Sequence, residues 1–190
     1  MSDLDDVVSA LVAPLDPLED AVAALGRDAG LVAWWGTDVA IEALLTGSSS
    51  APLRLPPHPT DAGWTLLDVG DATMLRNRVT RQDLYRTGVS PFRRALAGLL
   101  LDDLALAPTW AADVLLTRAD EDRLGEWMRA HLRLSTVLHP DRKLLLGPVR
   151  DALAPGLRED GATARAARDR FAAAAGPRPH RDPSVPFQRP

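Results

Sequence analysis

Three short segments with the pattern of β-strands, one a continuous apolar run and one with alternating apolar residues, constrain the fold of this chain more than any other feature of the sequence. They are GLVAWWG at residues 30–36, WTLLDVG at 64–70 and LRLSTVL at 132–138. Each run has the length of a buried or half-buried strand and is bounded by glycines or polar residues. The segments around them have helical periodicity or loop composition. The sequence therefore predicts an α/β fold, in which helices flank a small three-stranded sheet and extra helices lie at both ends.

Residues that commonly cap helices precede several of the helical segments. Thr37, Thr73, Ser90 and Thr117 each stand before an apolar 3.6-residue periodicity and are predicted N-caps. The helix after Thr73 is expected to run to about Tyr85, and the helix after Ser90 to continue to Leu106. Two later segments, 141–155 and 162–175, are also predicted helices, and the first contains a Gly-Pro interruption at 147 and 148.

Proline, glycine and serine divide the chain into four predicted parts. An N-terminal helical extension covers residues 1–29 and is broken by Pro14 and Pro17. The central domain covers 30–158 and contains an exposed loop at 48–63. A helix at 159–175 follows, and the proline-rich residues 176–190 are expected to be a disordered tail.

Several functional classes are excluded by what the sequence lacks. Without cysteine there is no disulfide, thiol catalysis or sulfur-bound zinc, and no two of the four histidines have the i, i+4 spacing of a paired metal site. A metal held by carboxylates stays open on these grounds, and we predict neither a metal site nor a cofactor. No apolar run is long enough to span a membrane, and the N-terminus is acidic, so we expect a soluble cytoplasmic protein without a membrane partner. The oligomeric state is left open.

Positive charge is concentrated in one segment, although the formal net charge of the chain is −4. Six arginines fall between Thr73 and Arg94, where Asp83 is the one acidic residue: Arg76, Arg78, Arg81, Arg86, Arg93 and Arg94. A local cluster of this kind is typical of a surface that binds nucleic acid or a phosphate-bearing partner, and it also occurs as a solvated helical face.

Six segments in order resemble the GIY-YIG nuclease family, in the actinobacterial type that carries AWW after its first motif. The segments are GLVAWW at 30–35, LLDVGDA at 66–72, LRNR at 75–78, FRRALAGLL at 92–100, LT at 116–117 with DEDRLGEWMRAHLRL at 120–134, and LAPGL at 153–157. The resemblance makes residues 30–158 a GIY-YIG-like domain. It implies metal-assisted phosphodiester hydrolysis, in which cations stabilise the phosphoryl transition state and a hard oxygen ligand holds the metal.

The chain departs from this family at most of the positions that perform the chemistry. The two motif tyrosines correspond to Val32 and Asp68, and the supporting histidine corresponds to Gln82. The metal-binding glutamate position falls at Leu146. The arginine of the family is retained as Arg78. The resemblance therefore implies a catalytically degenerate nuclease that binds its ligand without cleaving it.

Asp68 is the most informative of these departures. Two like charges about 4 Å apart repel by roughly 4 kcal/mol at an effective dielectric constant of about 20, which opposes phosphate binding at that point. Asp68 could instead pair with Arg78 or Arg76 and neutralise the former site. It could also be a general base or a metal ligand if the cleft accepts something other than DNA.

A second function therefore stays open beside nucleic-acid binding. The cleft could have been repurposed for a small-molecule enzyme of actinobacterial, including secondary, metabolism. Asp68 and Arg78 would then be the catalytic residues, and Trp34, Trp35 and Trp64 would form the pocket wall. Residual nuclease activity through other carboxylates such as Asp71 or Asp141 is the third and weakest alternative.

Overall fold

The computed structural model describes residues 3–13, 16–47 and 63–178. The predicted break at Pro14, nearly all of the predicted loop at 48–63 and most of the predicted tail lie outside these ranges. Among the described residues, no helix combines the length and apolar character that crossing a membrane requires.

A three-stranded antiparallel sheet lies at the centre of the protein. Strand β1 (Gly30–Gly36) is the middle strand and pairs with β2 (Thr65–Ala72) on one side and β5 (Leu132–Leu138) on the other. All three predicted strands are confirmed, and β2 continues two residues past Gly70. An additional short hairpin, β3 (Thr109–Trp110) with β4 (Val114–Leu115), was not predicted.

Helices account for most of the remaining structure, and the predicted α/β class is confirmed. Their bounds are α1 (Asp3–Leu11), α2 (Leu18–Ala24), α3 (Asp38–Gly47), α4 (Leu75–Asn77), α5 (Pro91–Leu99), α6 (Arg118–His131), α7 (Arg142–Leu153) and α8 (Ala162–Ala174). A six-residue π-helix (Arg78–Asp83) follows α4 directly.

The sheet separates two apolar clusters, which explains why β1 is apolar along its whole length. Val32 and Trp34 belong to the larger cluster, which also contains residues of α2, α3, α5, α6 and α8. Leu31 and Trp35 belong to the smaller cluster with residues of α1 and α7. A strand whose two faces are both covered reads as a continuous apolar run, because alternate side chains point into different parts of the core.

The outer edge of β2 is covered by another part of the chain. The backbone N–H groups of Gly156 and Leu157 donate to the carbonyls of Leu66 and Leu67 on the outer edge of β2, at 3.1 and 2.6 Å. Helices α1 and α2 contact β5 from opposite faces of the sheet. Covered edges prevent pairing with strands of other molecules.

Two predicted helices differ from the observed ones. Thr73 does not cap the helix after β2; Met74 occupies the N-cap position without a side-chain cap, and the α-helix changes to a π-helix after three residues. The helix after Ser90 ends at Leu99 and not at Leu106. Leu100, Leu101 and Leu106 are all buried, and a continued helix would have pointed them in different directions, whereas the observed turns bury them together.

Candidate functional site

The carboxylate of Asp83 is the centre of a buried polar network at the end of the π-helix. It accepts hydrogen bonds from Arg78 Nε at 3.0 and 2.9 Å, from Ser90 Oγ at 2.6 Å and from Trp34 Nε1 at 3.3 Å. Asp83 is fully buried, and the side chain of Arg78 is 21% exposed. A buried carboxylate is stable when donors satisfy its oxygens in this way.

The π-helix explains why Arg78 meets Asp83. In a π-helix the backbone hydrogen bonds join residues i and i+5, which is the separation of this pair. In an α-helix, residues five apart point about 140° away from each other because each residue turns the chain by about 100°. Burial alone would lower the pKa of Arg78, but the charge and hydrogen bond of Asp83 outweigh it, with help from Asp68 and Glu159, and the pKa of Arg78 is raised.

A second buried pair extends this network into the protein. Arg93 has no exposed surface; its Nε donates to Glu121 Oε2 at 2.8 Å, and its Nη1 donates to the carbonyl of Asp83 at 3.3 Å. Glu121 also accepts from both the N–H and the hydroxyl of Thr87. Burial lowers the pKa of Arg93, and Glu121 opposes that shift. Arg93 therefore joins α5 to α6 and does not reach the surface.

Asp68 lies in β2 opposite Trp34, next to the irregular pairing between Trp34 and Trp35. It is only 3% exposed, and its Oδ1 makes no hydrogen bond within the described residues. The nearest cation is Arg150 of α7, whose Nη2 is 3.8 Å from Oδ1. Asp68 therefore does not form the pair with Arg78 that the sequence suggested, because Asp83 holds Arg78 and Arg150 approaches Asp68 from the other side.

The environment of Asp68 raises its pKa to about 7. Burial of the carboxyl is the largest cause of this increase. The positive charges of Arg150 and Arg78 lower the pKa, whereas the negative charges of Asp83 and Glu159 raise it further. Near neutral pH this carboxyl is therefore close to half protonated. The repulsion expected between Asp68 and a phosphate is correspondingly weaker than for a fully ionised group.

A cavity of about 320 Å³ lies beside Arg78. Its lining residues are Asp71, Ala72, Thr73, Met74, Asn77, Arg78 and Gln82. The Nε of Arg78 is bound to Asp83, whereas its two terminal amino groups make no hydrogen bond within the described residues. Arg78 is thus held in place on one side and free to donate on the other. Asp68 does not line this cavity.

Five arginines make neither an ion pair nor a hydrogen bond through their side chains within the described residues: Arg27, Arg76, Arg81, Arg86 and Arg129. All five are exposed. We refer to them as the open arginine surface. By contrast, Arg94, the remaining member of the predicted cluster, binds Asp113 at 2.8 Å and the carbonyls of Thr87 and Gly88.

Three of these five residues lie in the segment that begins with α4, and the other two belong to neighbouring parts of the chain. Arg27 is adjacent in sequence to Gly26 and Asp28, whose carbonyls accept from the backbone N–H groups of Arg76 and Leu75. Arg129 lines a hollow of about 150 Å³ together with Thr80, Leu84 and Glu19. Two of the five, Arg27 and Arg129, were not among the predicted binding residues, because they are distant in sequence from the other three.

The three predicted pocket tryptophans do not surround Asp68 as a wall. Trp34 stacks on Phe92 with ring centroids 5.5 Å apart, and Trp35 donates to Ser135 Oγ at 2.9 Å. Both are buried in the core, on opposite faces of β1. Trp64 is half-buried and lies under the guanidinium of Arg133, 5.0 Å from its ring centre.

The partners of the predicted residues were not recognised from the sequence. Asp83, Glu121 and Arg150 lie 5 to 82 positions from the side chains they bind, and nothing in the sequence pattern indicates these pairings. Within the described ranges, no group of three or more histidine, aspartate or glutamate side chains has the arrangement of a metal site. Comparisons with protein-family models, curated proteins and solved structures give no match to this chain.

Proposed function

We propose that this protein binds nucleic acid through the open arginine surface and does not cleave it. The proposal extends the GIY-YIG resemblance: the phosphate-binding side of the ancestral site is retained, and its metal-dependent chemistry is lost. A phosphate-bearing partner of another kind would use the same cations.

The proposal depends on one observation, which is the position of the unpaired arginines. In the described chain, the other arginines donate to carboxylates or to backbone carbonyls, as Arg94 does to both. Of the five arginines without partners, Arg76, Arg81 and Arg86 lie within residues 75–86, and Arg27 and Arg129 belong to neighbouring segments. Exposed guanidinium groups without internal partners gain the most free energy from binding a phosphate, since no existing ion pair has to be broken.

The proposed loss of cleavage rests on the residues at the catalytic positions. Leu146 stands where the resemblance places the metal-binding glutamate, and its side chain packs against the smaller apolar cluster. Val32 stands at the first tyrosine position and is buried in the larger cluster. Neither side chain can ligate a cation or transfer a proton.

A salt titration tests the binding. Fluorescence anisotropy with a labelled 20-nucleotide strand and a labelled 20-base-pair duplex should show association with at least one of them. The logarithm of the association constant should fall linearly with the logarithm of salt concentration, with a slope on the order of −3 if three to five phosphates are contacted. The same oligonucleotides should remain intact with Mg²⁺ or Mn²⁺.

Two triple variants with the same change in net charge localise the surface. Replacement of Arg76, Arg81 and Arg86 by glutamine should weaken binding by at least about tenfold and reduce the salt slope. The control replaces three exposed arginines elsewhere, Arg118, Arg165 and Arg178, and should change affinity much less. Equal losses in both variants, salt-insensitive binding, or strand cleavage that disappears in Arg78→Ala would each contradict the proposal.

The cavity beside Arg78 supports a second candidate, a small-molecule activity. Its volume of about 320 Å³ suits a small phosphorylated ligand, with the free amino groups of Arg78 as the anchor. Asp68 is too deeply buried to touch such a ligand directly. Calorimetric titration with inorganic phosphate distinguishes the two candidate functions. The small-molecule activity requires saturable phosphate binding that is lost in Arg78→Gln. The triple variant at Arg76, Arg81 and Arg86 should still bind phosphate.

A further inference from the structure

The segment that carries the open arginine surface also exposes apolar side chains. Met74, Tyr85 and Val89 are 41%, 45% and 52% exposed, although they are large hydrophobic residues. In sequence they are interspersed with Arg76, Arg81 and Arg86. Folded proteins normally direct the apolar side chains of such a segment into the core, as this one does with Leu75, Val79 and Leu84.

Tyr85 is the best placed of the three to bind a ligand. It lies between Arg81 and Arg86, and it is the only tyrosine of the chain. Within the described residues its ring stacks on no other aromatic side chain and its hydroxyl makes no hydrogen bond. The backbone around it is fixed, because the N–H groups of Tyr85 and Arg86 both donate to the carbonyl of Gln82, at 3.3 and 2.9 Å.

Negative charge near this ring is already neutralised. Asp83, the one carboxylate in the segment, points inward and is bound by Arg78, Ser90 and Trp34. An exposed ring flanked by cations, with no free carboxylate in its own segment, has the two components that bind unpaired nucleotides. The ring stacks on a base, and the guanidinium groups bind the phosphates on either side.

We propose, on the basis of the nucleic-acid binding proposed above, that the ligand is single-stranded and that Tyr85 stacks on one of its bases. A duplex offers phosphates to Arg81 and Arg86 but keeps its base faces stacked inside the helix. Tyr85 therefore discriminates between the two forms, whereas the arginines attract both. Met74 and Val89 are further exposed apolar side chains of the same segment.

Single substitutions at Tyr85 test this assignment. The affinity of each variant is measured for oligothymidylate and for a duplex with the same number of phosphates. Tyr85→Ala should weaken binding of the single strand by about tenfold, change duplex binding less than twofold and leave the salt slope unaltered. Tyr85→Phe keeps the stacking ring and should bind within about twofold of the parent protein. Arg81→Gln, as the matched comparison, should weaken binding of both forms and reduce the salt slope.

An abasic oligonucleotide, which has the sugar-phosphate backbone of the same length but no bases, provides an independent probe. Its affinity for the parent protein should equal that of oligothymidylate for Tyr85→Ala. If Tyr85→Ala binds the single strand as well as the parent does while Arg81→Gln weakens it, the stacking assignment fails and the proposed function stands. If no oligonucleotide binds the parent protein at low salt, the proposed function itself fails.

Discussion

Two buried aspartates in this protein have opposite environments. Asp83 accepts hydrogen bonds from three side chains, one of them a guanidinium, so its charge is compensated where it lies. Asp68 has an oxygen without a hydrogen-bond partner in the described chain and a cation only at 3.8 Å. The first is a structural ion pair. The second is close to half protonated near neutral pH because ionisation in the core is costly.

Asp68→Asn should therefore change how stability depends on pH. The pKa of Asp68 rises from 3.8 to about 7 on folding, so the folded state binds a proton that the unfolded state lacks between these values. The stabilisation is complete below pH 3.8 and is lost as pH rises to about 7, at up to about 1.4 kcal/mol per pH unit. The asparagine side chain carries no charge, so the variant should lose less stability than the parent over this window.

Urea unfolding at pH 5, 6, 7 and 8 measures the difference. The free energy of unfolding of the variant relative to the parent should increase from pH 5 to pH 7 and then become constant. Asp16→Asn, which removes a carboxylate from an exposed position, serves as the control for the loss of one negative charge. A constant difference for Asp68→Asn would show that Asp68 is ionised throughout and stabilised by Arg150.

At the scale of elements, capping residues identify helix starts well when the side chain reaches the first turn. Thr37, Ser90 and Thr117 were predicted as caps, and each accepts a hydrogen bond from the backbone N–H three residues later. Thr73 has the same chemistry but lies in the bend after β2, one residue before the N-cap position, which Met74 occupies. There, hydrogen bonds from Leu75 and Arg76 to the carbonyls of Asp28 and Gly26 determine the start of α4.

Ser90→Ala should destabilise the protein more than Thr117→Ala. Both changes remove a side-chain cap, which costs about 1 kcal/mol. Ser90 is also buried and donates to Asp83, so its loss leaves a buried carboxylate with one donor fewer, which adds about 1–3 kcal/mol. Urea unfolding of the two variants at pH 7 gives the comparison; equal losses would mean that the Ser90–Asp83 hydrogen bond contributes no stability.

At the scale of the whole molecule, the C-terminal helix is part of the core. Helix α8 follows the predicted central domain in sequence, yet Phe171 of α8 is fully buried in the larger apolar cluster. Its backbone lies against α5: a Cβ atom added to Gly98 would be 1.8 Å from the carbonyl oxygen of Ala167. Such an approach is possible only for a residue without a side chain.

Gly98→Ala should therefore separate α8 from α5. The added Cβ would collide with backbone atoms, which cannot rotate away. We therefore expect the free energy of unfolding to fall by about 1–3 kcal/mol, the range typical of overpacked sites. Hydrogen exchange should show lost protection across residues 162–174. Gly147→Ala is the matched control, since nothing lies within 4 Å of its added Cβ; it should be neutral or stabilise by up to about 1 kcal/mol. Similar effects of the two substitutions would contradict this packing.

The sequence by itself determined the three strands, the α/β class and most helix starts, because these depend on local periodicity and on caps three residues away. It also located the arginine-rich segment. It did not determine which arginines remain open. Arg93 is buried because Glu121, 28 positions along the chain, reaches it only after folding, and Arg78 pairs with Asp83 because the residues between them form a π-helix. Pairing between side chains depends on distances in space, and the tertiary structure sets those distances.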